Sequence, residues 1–184
     1  MIRFWTADMH LGHNNIIKYC GRPFRDCNHM NECLINDANM RVKNSTCIHV
    51  GDFCTRGGEK ARDWHARLCG NWVFLRGNHD KNNGVKTLGD WLFTRMSHYS
   101  VFVSHIPYFH TEVRGTAKYL LPPDLVRVVE STCDFSICGH VHEHWKVSRD
   151  GAIPCYNVGV DQWNFMPVRE DELLELHRKE TGHG

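Results

Sequence analysis

The stretch Ile2-Arg3-Phe4-Trp5-Thr6-Ala7-Asp8-Met9-His10 is an apolar run of strand length that stops on a carboxylate and an imidazole two residues apart. The theme returns four times along the chain. Segment 47–50 leads into Gly51-Asp52, 72–75 into Arg76-Gly77-Asn78-His79-Asp80, 101–104 into His105, and 135–138 into Gly139-His140-Val141-His142. Short apolar runs bounded by Gly, Asp and Asn read as strands. Helical patterns lie at 14–20, 28–43, 59–68, 124–130 and 170–179. Alternating strand and helix argues an α/β layered domain, whose ligands sit beyond the carboxyl ends of the strands. All five polar clusters are therefore expected on one rim. Segment 143–160 reads as two or three short strands turned at Arg149-Asp150-Gly151, which adds a partly antiparallel piece to the core. Gly57-Gly58, Asn82-Asn83-Gly84 and Pro122-Pro123 punctuate loops.

The 184 residues suit one domain spanning 1–184, and folds of this size bury roughly 70% of the surface of their unfolded chains. Hydrophobic residues at 41% and charged residues at 23% are ordinary for a soluble globular protein. No apolar run approaches the ~20 residues of a spanning helix, and the first strand begins where a secretory leader would stand. No membrane partner and a cytoplasmic location are expected. A net charge of +1 gives no field for gathering nucleic acid, which is therefore not a favoured partner. The nine cysteines are odd in number, scattered and never in a C-x-x-C pair, so neither a disulfide framework nor a thiolate zinc site is signalled. The fourteen histidines are the unusual feature.

In Asp8-Met9-His10 and His140-Val141-His142, alternate spacing in an extended or turning backbone directs both side chains to one side, where they can share a metal. Any one such cluster is explained by the ordinary preference of Asp, Asn and Gly for strand ends. Five in the order D-x-H, G-D, G-N-H-D, H, G-H-x-H are not. In this order the chain resembles the calcineurin-like metallophosphoesterase superfamily from Asp8 to His142. Gly12-His13-Asn14-Asn15-Ile16-Ile17 and Asn157-Val158-Gly159-Val160-Asp161 are similar to flanking segments of its small bacterial and bacteriophage members.

The resemblance implies a layered αββα sandwich of two mixed β-sheets flanked by helices, with the metal site at the strand C-terminal rim. It further implies that Asp8, His10 and His142 bind one metal, that Asn78, His105 and His140 bind another, and that Asp52 bridges them. Imidazoles and an amide oxygen beside only two carboxylates make a mixed N/O set. Such a set suits Mn, Fe, Ni, Co or Zn better than Mg or Ca alone, and manganese is favoured. A bridging hydroxide is then expected to attack phosphorus in line. His79, which the family does not assign to a metal, is left free as general acid, and Asp80 is expected to fix its ring. His13 and Arg22 are candidate phosphate contacts, and Trp163 is a candidate for stacking on a leaving group. His49, inside a strand, reads as a satisfied core residue.

The substrate class expected is a small phosphodiester. No insertion is long enough to form a cap over the rim, and Arg22 and Arg76 are nearly the only cations near the motifs to meet a monoester dianion. Phosphomonoesterase, nuclease and inactive metal-binding module are the alternatives. The cytoplasm in question is the host's if the chain is bacteriophage-encoded.

Overall fold

A computed structural model describes residues 2–55, 60–110 and 120–182. The first half of the chain runs β1 (Arg3–Thr6), α1 (Asn14–Tyr19), α2 (Cys27–Val42), β2 (Thr46–His49), α3 (Ala61–Ala66), β3 (Asn71–Phe74) and β4 (Trp91–Met96). It continues through β5 (Tyr99–Ser104), α4 (Pro123–Thr132), β6 (Phe135–Cys138), β7 (Val147–Ser148), β8 (Cys155–Asn157), β9 (Val168–Arg169) and α5 (Glu170–Thr181). The five helices fall where the hydrophobic pattern puts them. The expected start of α3 at Glu59, the Gly57-Gly58 loop and His183 lie outside the described residues.

The strands form two mixed sheets, in the orders β3-β2-β1-β9 and β4-β5-β6-β8-β7. Strands β1, β2 and β3 are parallel, as are β5, β6 and β8, while β9, β4 and β7 add antiparallel edges. Period-two alternation divides each strand between two cores. Trp5 and Ile48 face Val101, Val103, Phe135 and Ile137 between the sheets. Phe4, Cys47, Trp72 and Phe74 face outward onto Met30, Leu34, Ile35, Ala38 and Val42 of α2. The other outer face packs Phe102 against Val129 of α4. The αββα arrangement is thus present. The hairpin strand β4 is an addition to the sequence reading. Its outward residues Trp91 and Phe93 are as apolar as its inward Leu92 and Met96, so no alternation of polarity marks it. No helix among the described residues is long and apolar enough to cross a membrane.

The fold sets the site in one step. All the parallel strands of both sheets end on one rim, where Ala7 at the end of β1 bridges Gly159 after β8 and ties the two sheets together. Each polar cluster begins within three residues of a strand end.

Candidate metal centre

Five residues of the centre, Asp8, His10, Asp52, His140 and His142, have φ between 46° and 70°, in the left-handed region. Such a backbone costs of order 1–3 kcal/mol per non-glycine residue and persists only where surrounding structure enforces it. In both D-x-H and H-x-H, the two side chains converge through this double left-handed turn and not through an extended backbone. Neighbouring glycines make room for the loops to close. A Cβ on Gly77 would lie 2.1 Å from Asp52 Oδ1, and one on Gly139 would lie 2.6 Å from Asp8 Oδ2.

The donor atoms gather around two buried carboxylate oxygens. Asp8 Oδ1 lies 3.9 Å from His10 Nε2, 3.9 Å from His142 Nε2 and 4.0 Å from His105 Nε2. Asp52 Oδ2 stands between His10 Nε2 at 3.5 Å and His105 Nε2 at 3.2 Å. Asn78 Oδ1 faces the same His105 nitrogen at 3.1 Å, and the His140 ring meets the His105 ring edge-on at 5.3 Å. Atoms each bound at about 2.0–2.2 Å to a common ion stand roughly 3–4 Å from one another, so these separations are those of chelating donors. Burial supports the same conclusion. Asp8 Oδ1 and both ring nitrogens of His10 are buried without a hydrogen-bond partner, a state that is costly unless a cation completes it. The clusters are consistent with a dinuclear metal site, and Asp52 lies close to both His10 and His105.

The electrostatics follow from this crowding. Burial raises the Asp8 carboxyl above its ordinary range, although His142 and His105 pull against that shift. Burial works the same way on Asp52, yet His105 and His10 overcome it and hold Asp52 well below the ordinary carboxylate range. His105 loses basicity to burial but gains more from Asp52 and Asp8, ending at about 9. His142 likewise ends at about 11 through Asp8 and Asp161. His140, buried and repelled by His105, falls to about 3, and burial also lowers His10.

Residues behind the donors hold them in place. His105 donates through Nδ1 to Val50 O at 2.8 Å, which directs Nε2 into the centre. His142 is directed in the same way, Nδ1 to Asp161 Oδ2 at 3.0 Å. Asp161 in turn takes both arms of Arg22 at 2.8 Å, and the same guanidinium donates to the carbonyls of Asp8 and Met9. Asn157 donates to His142 O, and Asn31 of α2 accepts from Gly12 N. The roles of Asp161, Asn157 and Asn31 escape the sequence reading. Only the similarity of the 157–161 segment to family flanks pointed toward the first two.

Four expectations are corrected. The Arg22 side chain is wholly buried with its donors engaged on Asp161 and two carbonyls, so it braces the centre and meets no phosphate. Asp80 does not hold the His79 ring. Its carboxylate accepts from the backbone N–H of Asp52, Phe53 and Gly77 and from the Asn83 amide, which clamps the Asp52 loop to the Gly77 loop. Trp163 donates to Asn157 O and packs against the inter-sheet core, and the Lys146 ammonium lies 3.6 Å from its ring centre. A leaving group would have to displace that lysine. His49 is buried but not satisfied, since neither ring nitrogen has a partner, and burial lowers its pKa to about 3 so that the ring stays neutral. His79 and His13, by contrast, stand at the centre. The exposed His79 ring lies 5.2 Å from that of His10, the His79 backbone N–H donates to Asp52 Oδ1, and the His13 ring lies 5.4 Å from His10 and 6.1 Å from His79.

Among solved structures, the chain overlays a protein of unknown function from Aquifex aeolicus with a TM-score of 0.72 and 23% identity, over 95% of this chain and 98% of that one. The two share a fold. No family model matches the chain. An uncharacterized protein of Methanocaldococcus jannaschii is 42% identical over 81 residues, a match spanning 42% of this chain and 46% of that protein, so the similarity covers less than half the length of each. A phosphoesterase from E. coli overlays 85% of this chain and 78% of its own at 17% identity with a TM-score of 0.46, a likeness too remote to bear on function.

Proposed function

We propose that the chain is a phosphoesterase with a dinuclear metal centre, held by Asp8, His10 and His142 on one side and Asn78, His105 and His140 on the other. The observation that carries this reading is the placement of Asp52 Oδ2 between His10 and His105, one carboxylate oxygen shared by two sets of donors. Two divalent transition ions, manganese favoured, would supply Lewis acidity toward the phosphoryl oxygens and a water acidic enough to act as nucleophile near neutral pH. The chain's own residues do the rest. His79, exposed at the mouth beside His10, is positioned to give a proton to the leaving oxygen. His13 flanks it as a further donor to the phosphoryl group. Asp80 keeps the Asp52 loop closed on the Gly77 loop, so its part in catalysis is to position, not to move a proton.

A small phosphodiester fits better than a monoester. Arg22, buried against Asp161, is not among the cations offered to a dianion, and a diester carries a single charge. The deciding experiment adds Mn, Ni, Zn and Mg separately to metal-stripped protein and measures kcat/KM for matched aryl mono- and diesters. Two bound metals with turnover of the diester are expected. Stoichiometric metal without hydrolysis of either ester would leave an interaction module in place of an enzyme, and a tenfold monoester preference, ~1.4 kcal/mol in the transition state, would reject the diester.

A further inference from the structure

Beside the metal centre the rim opens into a cavity of about 270 Å³. Asn78 and His105 line it, and His105 also faces Asp52, so a group one ester bond away from phosphorus at the centre would enter it directly. Its other walls are unlike the centre. They include the apolar Trp91 at the start of β4, Ile106 after β5, and Leu121 and Pro122 ahead of α4, beside the polar Ser104. Trp91 is 43% exposed, a large apolar surface to leave in water beside a cluster of charge. Its ring is held edge-on by Phe93 at 5.8 Å and lies 6.3 Å from the buried Phe102, so its orientation is set by packing.

We propose that this cavity is the subsite for the organic group of the ester, and that it takes a flat aromatic ring system, between a phenyl ring and a nucleobase in size, stacked on Trp91. The inference rests on the phosphoesterase reading and deepens it. The volume lies at the small end of ligand pockets, roughly 300–1,000 Å³, which suits one ring system and not a row of them. Apolar walls with a single large indole favour a planar ring, since aromatic pairs gain from offset or edge-on contact beyond what area burial gives. At the mouth, Arg76 and Asp90 form an ion pair of 2.9 Å whose side chains are 47% and 62% exposed. A pair so solvated changes partners at little cost, so its donors and acceptors are available to the polar edge of a heteroaromatic ring. Stacking of this kind tolerates different rings, because every aromatic ring has a π face.

The test uses the zinc-loaded 184-residue chain and two probes with the same head group, phenylphosphonate and methylphosphonate. Calorimetry first measures zinc binding and then each phosphonate. The Trp91 indole N–H resonance, assigned by its disappearance in Trp91→Phe, reports where the ring goes. The phenyl compound is expected to bind about tenfold tighter than the methyl one and to shift the Trp91 resonance. In Trp91→Ala that ratio should fall to within about threefold, and in Trp91→Phe it should largely survive. Equal binding of the two probes to zinc-loaded protein overturns the subsite while leaving the metal centre standing. A ratio unchanged in Trp91→Ala does the same, as does a ring that shifts another tryptophan instead. If zinc does not bind at all, the phosphoesterase reading fails, and the subsite falls with it.

Discussion

The two halves of the centre are held in different ways. On the Asp8–His10–His142 side, His10 is almost wholly buried, and His142 is locked by an Asp161–Arg22 pair drawn from opposite ends of the chain. On the Asn78–His105–His140 side, His105 leans on a backbone carbonyl, Asn78 and His140 are only half-buried, and the cavity beneath Trp91 opens directly onto the donors. One half is therefore braced by buried charge and the other opens onto a cavity. A rigid half suits holding an ion tightly, whereas an open half suits admitting and releasing an ester.

The largest effect should come from the atom common to both halves. Asp52→Asn is expected to lower metal content at both positions and to reduce turnover by at least about 10³-fold, because it weakens the shared anionic donor. Metal analysis beside kcat decides it, and two tightly held ions with near-normal turnover would show that the halves do not share Asp52. His79→Ala belongs to neither half. It should keep both metals and lose roughly 10²- to 10⁴-fold in kcat, with a smaller loss for esters whose leaving groups need no proton. Loss of metal in that variant would make His79 a ligand.

The braced half is tested through its brace. Asp161→Asn should weaken one of the two metal-binding steps by about 10- to 100-fold and leave the other nearly unchanged, as for outer partners of metal-bound histidines. Competition with a chelator reads the two steps apart, and equal weakening of both would erase the contrast between the halves. Arg22→Ala leaves the buried Asp161 carboxylate facing His142 alone, and should destabilise the fold by about 3–5 kcal/mol in denaturant titration. Arg76→Ala, removing a solvated cation, should change stability by no more than about 0.5 kcal/mol.

The smallest effect is on protons. His105 and His142 have pKa values raised to about 9 and about 11 before metal binds, so both carry protons at pH 7 and must lose them to ligate. Zinc binding should therefore release protons at pH 7 and tighten as pH rises toward 9. The stability these two raised groups contribute to the metal-free fold has the opposite trend: present below about 6.5, it fades as pH passes through 9 and then 11. Calorimetry in two buffers of different ionisation enthalpy measures the release, and identical heats in both would mean that the imidazoles enter the site already neutral.

The candidate donors were legible in the sequence because each of the five clusters sits at the end of its own apolar strand, where local pattern and residue type coincide. Asp8, His10, Asp52, Asn78, His105, His140 and His142 all come together on the rim, as the order of the motifs implies. The layered fold was legible for the same reason, since parallel strands separated by helices leave few ways to stack. What surrounds the donors was not. Arg22 and Asp161 are 139 residues apart, and nothing local distinguishes a buried brace from a solvated loop arginine. Asp80 follows His79 directly, yet its carboxylate turns back to the Asp52 loop because three backbone N–H groups and an amide converge there. Strand β4, apolar on both faces, and the wall that its Trp91 makes beside His105 exist only once the second sheet is assembled. Short-range pattern thus determined which polar residues gather at the rim, while tertiary packing alone decided which side chains brace them, because burial and long-range hydrogen bonds depend on neighbours that the linear order keeps apart.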